Sequence, residues 1–351
     1  MEGNAAPSAE SVSPSITAVP TALPTVRPTA TPRVFPTATP LPTPAVESTR
    51  IRWQGRLWYL HGANLPWVNW GCDFGCGTEG GVSSPEVSKT AASALAGAKP
   101  AGLNVIRWWM FPGEPSQFIL AADGSPTGLK PAVYQDIDAA LRLAQQYDVY
   151  FTFVLFSAPS HVPAAWIGDK SQRNALVGVI GDLAAHYATN PHILAWDVFN
   201  EPEWEVMNPA AGEDLVATVD AVADEIHRRS PALVTIGSVN ITALGMWLNS
   251  PLDFYEPHWY DPMEPKACAI CTDYATLSVI YGLKKPIVIG EFYADANVDA
   301  AGRYADLYKK GYAGAWGWSL LPGGTQDKLA VDLAAARQFA DSVPDAGPRG
   351  R

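Results

Sequence analysis

Ile193-Leu194-Ala195-Trp196-Asp197-Val198-Phe199-Asn200-Glu201-Pro202 is the stretch on which the fold turns. An apolar run of strand type ends in a carboxylate, and a proline then stops it, because proline has no N–H to give a ladder. Glu201 is therefore expected on a loop at the rim of a sheet. A second run ends the same way, Pro286-Ile-Val-Ile-Gly-Glu291-Phe-Tyr.

Working outward, further runs of strand type are expected at Leu57–Asn64, Asn104–Phe111, Val149–Ser157, Leu233–Asn240, Phe254–Tyr260 and Gly314–Leu321. Helical spacing of apolar residues lies between them, at Val133–Tyr147, Ala175–Tyr187 and Leu215–Arg228, and Asp327–Val343 closes the chain. Strands alternating with helices over roughly 300 residues predict an α/β fold, a (β/α)8 TIM barrel. A doubly wound open sheet is the competing arrangement. It usually carries a Gly-rich phosphate turn after its first strand, and Gly62-Ala-Asn-Leu-Pro is not one. The barrel is expected over residues 50–345, with a short tail at 346–351.

Residues 1–49 read differently. Pro28-Thr-Ala-Thr-Pro32 recurs as Pro36-Thr-Ala-Thr-Pro40. A Pro/Thr-rich segment cannot bury enough apolar surface to fold, and is expected to be a disordered, semi-extended linker. Such stalks usually stand outside the cell. The start, Met1-Glu-Gly-Asn, has neither the basic residues nor the apolar stretch of a signal peptide. The expectation is an extracellular or cell-surface protein whose chain here begins after its signal.

Composition excludes several classes. The chain is 48% hydrophobic, enough for a sizeable core, and its net charge of −11 argues against nucleic acid and anionic membrane surfaces. No apolar run is long enough for membrane insertion. Thirteen tryptophans suit either a large core or the stacking of sugar rings. The four cysteines form two close pairs, Cys72 with Cys76 and Cys268 with Cys271. Local disulfides, free thiols and a shared metal all fit that spacing, although no zinc-site context surrounds them.

In a parallel barrel the chemistry sits at the C-terminal ends of the strands. Those ends carry Arg107-Trp108-Trp109, Asn200-Glu201, His258-Trp259-Tyr260, Glu291, and Trp316 with Trp318. Taken singly, each has a plain structural explanation. Together they converge on one face, and two glutamates there are what cleavage of a sugar linkage requires, one to donate a proton and one to attack.

With these residues the sequence resembles the clan A glycoside hydrolases, most closely glycoside hydrolase family 5, the cellulase and mannanase family. Asn200-Glu201-Pro202 looks like that family's acid/base segment, and Glu291 after Pro-Ile-Val-Ile-Gly looks like its nucleophile segment. The resemblance implies a retaining hydrolase of β-linked polysaccharide or oligosaccharide, with β-1,4-glucan or mannan as the default. It implies substrate- and nucleophile-contacting roles for Arg107, Asn200, His258, Tyr260 and Trp318. Trp67, Trp70, Trp166 and Trp204, in loops that follow strands, are candidates for outer subsites. No metal or cofactor is expected, and the enzyme is expected to be a monomer. One departure concerns the third strand. Family members often carry a histidine at its end, whereas here it reads Phe151-Thr-Phe-Val-Leu-Phe-Ser157, and the nearest histidine is His161 in the following loop. A sugar-binding barrel without catalysis, a transglycosylase and an exo-acting glycosidase are the competing readings.

Overall fold

The structure, a computed structural model, describes residues 50–113, 116–206, 209–260, 272–321 and 329–343. The Pro/Thr-rich segment and the C-terminal tail lie outside the described residues, and so do Cys268 and Cys271.

The chain opens with a short hairpin, β1 (Ile51–Trp53) and β2 (Arg56–Trp58). The first barrel strand, β3 (Leu60–Leu65), follows, and the others are β4 (Val105–Phe111), β7 (Tyr150–Phe156), β8 (Ile193–Asn200), β9 (Leu233–Ser238), β10 (Glu256–Pro257), β11 (Val288–Tyr293) and β12 (Gly314–Trp318). All pairings in this sheet are parallel. The order β10-β9-β8-β7-β4-β3-β12-β11 brings β10 beside β11, where parallel bridges at Tyr255–Ile287 and Trp259–Phe292 close the barrel. A second hairpin, β5 (Phe118–Leu120) and β6 (Pro126–Leu129), stands in the loop after β4.

Helices α1 (Pro85–Ala98), α2 (Pro131–Tyr147), α3 (Ala164–Gly168), α4 (Lys170–His186), α5 (Pro209–Arg229), α6 (Tyr274–Tyr281) and α7 (Ala300–Lys309) lie in the crossovers, a 3-10 segment (Ile241–Met246) stands between β9 and β10, and α8 (Leu333–Ser342) follows the last strand. Their starts are locally encoded. Ser84, Asp169, Asp273, Asp299 and Asp332 each accept a hydrogen bond from a backbone N–H of the first turn, satisfying donors that have no intrahelical partner.

Among the described residues the core has two parts. The larger lies between the barrel and its helices. The smaller fills the N-terminal half of the barrel, where Leu60, Val105, Leu233, Phe254, Val288 and Trp316 meet Trp53 and Trp58 of the first hairpin. Trp53, Trp58 and Tyr150 pack edge to face with ring centroids 4.9–5.5 Å apart. Burying such side chains contributes about 1.5–3 kcal/mol each. This apolar plug leaves only the C-terminal end of the barrel for polar side chains.

Several boundaries differ from the expectation. The Leu57–Asn64 run divides between a hairpin strand and β3. The Phe254–Tyr260 run is regular only at Glu256–Pro257, because Pro257 removes one ladder donor. The closing helix begins at Leu333, where Asp332 caps it.

Candidate active site

Arg107 is the centre of the barrel's polar layer. It lies on β4 with no exposed surface. Its Nε and Nη2 donate to Asp197 Oδ2 on β8 at 2.9 and 2.7 Å, and Nη2 donates to Asn200 Oδ1 at 3.0 Å. Nη1 donates to Glu291 Oε1 on β11 at 2.7 Å and to Asn64 Oδ1 on β3 at 3.3 Å. Glu256 on β10 brings an oxygen within 2.7 Å of Nε. The indole of Trp109 covers the guanidinium at 4.3 Å. One cation thus faces three buried carboxyl groups. Two glycines make room for it. A Cβ at Gly237 would stand 2.4 Å from Arg107 Nη2, and one at Gly290 would stand 2.6 Å from Glu256 Cγ.

The two glutamates face each other above this layer. Glu291 Oε1 holds Arg107, while its Oε2 accepts the Tyr260 hydroxyl at 2.8 Å. Glu201 ends β8 in the left-handed region, with φ of +46°, a conformation uncommon for a residue with a side chain and often found at functional sites. Its N–H is tied to Gly237 O at 2.6 Å. Its Oε1 lies 2.7 Å from His258 Nδ1, and its Oε2 accepts the Trp204 indole N–H at 3.1 Å. His258 Nδ1 is also 3.6 Å from Glu291 Oε2. One oxygen of each glutamate and the His258 nitrogen all fall within 4.8 Å of one another. A dication there would meet the Arg107 guanidinium, so the arrangement fits proton transfer better than metal binding.

The turn that carries Glu201 is fastened from below by Glu203. Its carboxylate accepts from Ser238 Oγ and Trp247 Nε1, both at 2.5 Å, and from Val239 N at 3.1 Å. Glu205 reaches the other way, to Ser160 N at 2.6 Å.

The environments of the groups differ. Burial raises Glu291 above the usual carboxylate range, and His258, Arg107 and the Tyr260 hydrogen bond pull it back. Burial also raises Glu201, against the Trp204 hydrogen bond and the Arg107 charge. Burial and the charge of Asp197 beside it push Glu256 well above its usual value, against the Arg107 guanidinium. Burial lowers His258 to about 4, so its ring is neutral. Burial and the charge of Glu291 push Tyr260 well up, so it remains an O–H donor.

Of the residues expected at the site, Arg107, Asn200, Glu201, His258, Tyr260 and Glu291 come together. Trp318 joins them through Trp109, with centroids 5.6 Å apart. Trp67 packs on Trp109 at 6.3 Å and on Trp70 at 4.4 Å, and Trp70 approaches His161 at 6.5 Å. These rings form one aromatic wall along the mouth. Trp204 is 61% exposed beside Glu201. Trp166 is a correction. It is fully buried, gives its N–H to Gly124 O at 3.0 Å and packs on Phe118. It belongs to the core, because the loop after β7 folds back over the second hairpin. His161 does not swing down to the glutamates; its Nδ1 is hydrogen-bonded to Ser157 Oγ at the end of β7.

The two cysteine pairs fare differently. Cys72 and Cys76 form a disulfide. The other expected pair, Cys268 and Cys271, lies outside the described residues, and Cys72–Cys76 is the one bridge among those described.

Asn64, Asp197, Glu203 and Glu256 do not stand out as site residues in the sequence alone. For Asp197 and Glu256 a signal is present, as carboxylates embedded in apolar strand runs.

A parallel barrel with two carboxylates set across its mouth, one of them held by an arginine and a tyrosine, has the make-up of a glycosidic-bond hydrolase. The family model for cellulase, glycosyl hydrolase family 5, matches residues 67–324. A mannan endo-1,4-beta-mannosidase from Mytilus edulis is 24% identical over 326 residues, covering 78% of this chain and 87% of the relative. One from Cryptopygus antarcticus is 23% identical over 333 residues, covering 77% and 82%. The crystal structure of the beta-mannanase from Mytilus edulis superposes with a TM-score of 0.71 at 22% identity, over 86% of this chain and 97% of that one. The chain belongs to glycosyl hydrolase family 5, and is an O-glycosyl hydrolase.

Proposed function

We propose that the protein is an endo-acting β-1,4-mannanase that works outside the cell by retaining double displacement, with Glu291 as nucleophile and Glu201 as acid/base. The observation that carries the mechanism is the pair of glutamate oxygens within 4.8 Å across the mouth. Retaining enzymes keep their carboxyl groups about 5–5.5 Å apart, and inverting ones about 6.5–9.5 Å, to admit a water between them.

The environments support these roles. Glu291 receives a guanidinium and a hydroxyl at 2.7 and 2.8 Å, which favour its ionised form. Its oxygen attacks the anomeric carbon and forms an ester. The glycosidic C–O bond breaks, and the departing oxygen takes the proton of Glu201. Once Glu291 is an ester its charge is gone, so the Glu201 proton becomes easier to lose. Glu201 then removes a proton from water, whose oxygen attacks the anomeric carbon and releases Glu291 as a carboxylate. Asn200, whose Oδ1 is held by Arg107, would bond the sugar's 2-hydroxyl. Trp318 supplies an apolar face for the sugar at the cleavage point, and Trp67, Trp70 and Trp204 supply faces further out.

Mannan as substrate is supported by both curated relatives, each named a mannan endo-1,4-beta-mannosidase. An extracellular setting is supported by the Cys72–Cys76 disulfide, since such bonds persist in oxidising compartments. The test is incubation with linear mannan, galactomannan, β-1,4-glucan and xylan, followed by chromatography of products and NMR of the first anomer released. Internal oligosaccharides from mannan, with the β-anomer formed first, are expected. Preferential release from β-1,4-glucan would move the substrate to cellulose-type chains, a reading favoured by the name of the matching family model. Monosaccharide alone would make the enzyme exo-acting.

A further inference from the structure

The contact between Trp204 and Glu201 has two sides. The indole N–H donates to Glu201 Oε2 at 3.1 Å, and the ring is 61% exposed, so its face is open to a sugar. Trp204 lies three residues after Glu201, on the single 3-10 turn Pro202–Glu205. Glu203 clamps that turn to the end of β9 through Ser238 and Val239, and to Trp247. The backbone under Trp204 is thus held, while its side chain is among the most exposed aromatic ones described.

The opposite oxygen of Glu201 also has a partner. Oε1 lies 2.7 Å from His258 Nδ1, and among the described residues His258 Nε2 has no hydrogen-bond partner. A buried N–H without an acceptor is costly, so the hydrogen of the neutral ring belongs on Nδ1, pointing at Oε1. Both Glu201 oxygens then receive donors, which is the hydrogen bonding of a carboxylate and not of an acid. A proton on Oε2 makes that oxygen a poorer acceptor, so the acid proton and the indole N–H compete for it.

We propose that Trp204 is a positioning residue that couples occupancy of the leaving-group side of the cleft to the protonation of Glu201. A sugar stacked on the indole turns the N–H away, and Oε2 is free to hold the proton that the departing oxygen will take. When that sugar leaves, the indole returns to Oε2 and favours the carboxylate that must deprotonate water. The first chemical step needs the acid and an occupied leaving-group side. The second needs the base, with that sugar gone. One side chain therefore matches the two states of Glu201 to the two steps. The proposal rests on Glu201 being the acid/base.

Among the described residues, the other charged or titratable groups around Glu201 are His258 and Tyr260 beside β10, Arg107 on β4 and Glu291 on β11. None of them is altered by substitution at Trp204. The experiment compares the pH dependence of kcat/KM, which reports the free enzyme, for the wild type, Trp204→Phe and Trp204→Ala on a mannan oligosaccharide. Phenylalanine keeps an aromatic face and lacks the N–H. Loss of a donor to the carboxylate favours the protonated form, so the alkaline limb is expected to move to higher pH in both variants. KM is expected to stay within about two-fold in Trp204→Phe and to rise about ten-fold in Trp204→Ala, the loss of a stacking contact. An alkaline limb unchanged in Trp204→Phe, or moved to lower pH, overturns the proposal. Glu201→Gln is run beside them. Full activity of that variant on the oligosaccharide would overturn the acid/base assignment itself, a failure distinct from that of Trp204.

Discussion

Arg107 Nη1 and Glu291 Oε1 stand 2.7 Å apart although 184 positions separate the two residues in the chain. The contact spans β4 and β11, which are not neighbours in the sheet. The same guanidinium reaches Asp197, so one side chain fixes the attacking carboxylate and neutralises the charge beneath it. Arg107→Met should remove that cation from several buried carboxyl groups at once. Breaking a buried pair in this way costs about 3–5 kcal/mol of stability, read as a lower denaturant midpoint. Arg107 lowers the pKa of Glu291, so its loss raises it, and the acid limb of the activity profile should move to higher pH. Arg107→Lys keeps the charge and loses the fork, and should hold the limb closer to wild type with a reduced kcat.

The two glutamates should separate by leaving group. Glu291→Gln should lose activity on every substrate, by on the order of 10⁴-fold or more. Glu201→Gln should lose about 10²–10⁴-fold on oligosaccharides, and much less on an aryl glycoside whose departing oxygen needs no proton. Steady-state rates on the two substrate types check this. Equal losses on both would remove the proton-donor role from Glu201.

Glu256 links the site to stability. Its folded-state pKa lies well above the usual 4.5. Above about pH 4.5 the unfolded chain releases this proton and the folded protein keeps it. The folded state then binds more protons, and stability falls as pH rises, by about 1.4 kcal/mol per pH unit from this group alone. The contribution is fully present at pH below 4.5 and is lost as pH climbs toward the folded value. Glu256→Gln abolishes the titration, so its stability measured by urea unfolding from about pH 5 to 8 should decline less steeply than that of the wild type. Parallel slopes would show that Glu256 is already ionised in the folded protein.

The Cys72–Cys76 bridge closes a loop with a sequence separation of only four. So short a loop restrains little of the unfolded chain, about 2 kcal/mol by loop entropy. Reductant, or Cys72→Ser with Cys76→Ser, should lower Tm by several degrees without unfolding the barrel. Trp67 and Trp70 stand just before this loop, so weaker binding of long oligosaccharides, with short ones unaffected, should accompany the change.

Much of the fold was legible because it is encoded locally. Strand runs, the helical spacing in α2, α4 and α5, and the proline after Glu201 each act within a few residues. The short hairpins and the fate of Trp166 were not legible, since both depend on which loop lies over which. In the site, Glu201 and Glu291 were found because a carboxylate that ends an apolar run stands out. Glu203 was missed because its partners Ser238, Val239 and Trp247 come from a different strand and the loop after it.

The sequence by itself determined the alternation of strands and helices and the two glutamates at the ends of their strands. These follow from hydrophobic pattern and backbone chemistry, which act over short stretches. Only the tertiary structure decided that Asn64, Arg107, Asp197, Glu256 and Glu291 share one polar layer. Inward and outward positions alternate along a strand, but irregularities shift the register between Asp197 and Asn200 and between Ile289 and Phe292. Counting along the sequence therefore loses track of which side chains face inward. Closure of the barrel, a contact between the ends of the sheet, restores it and gathers Asn64, Asp197, Glu256 and Glu291 around one guanidinium.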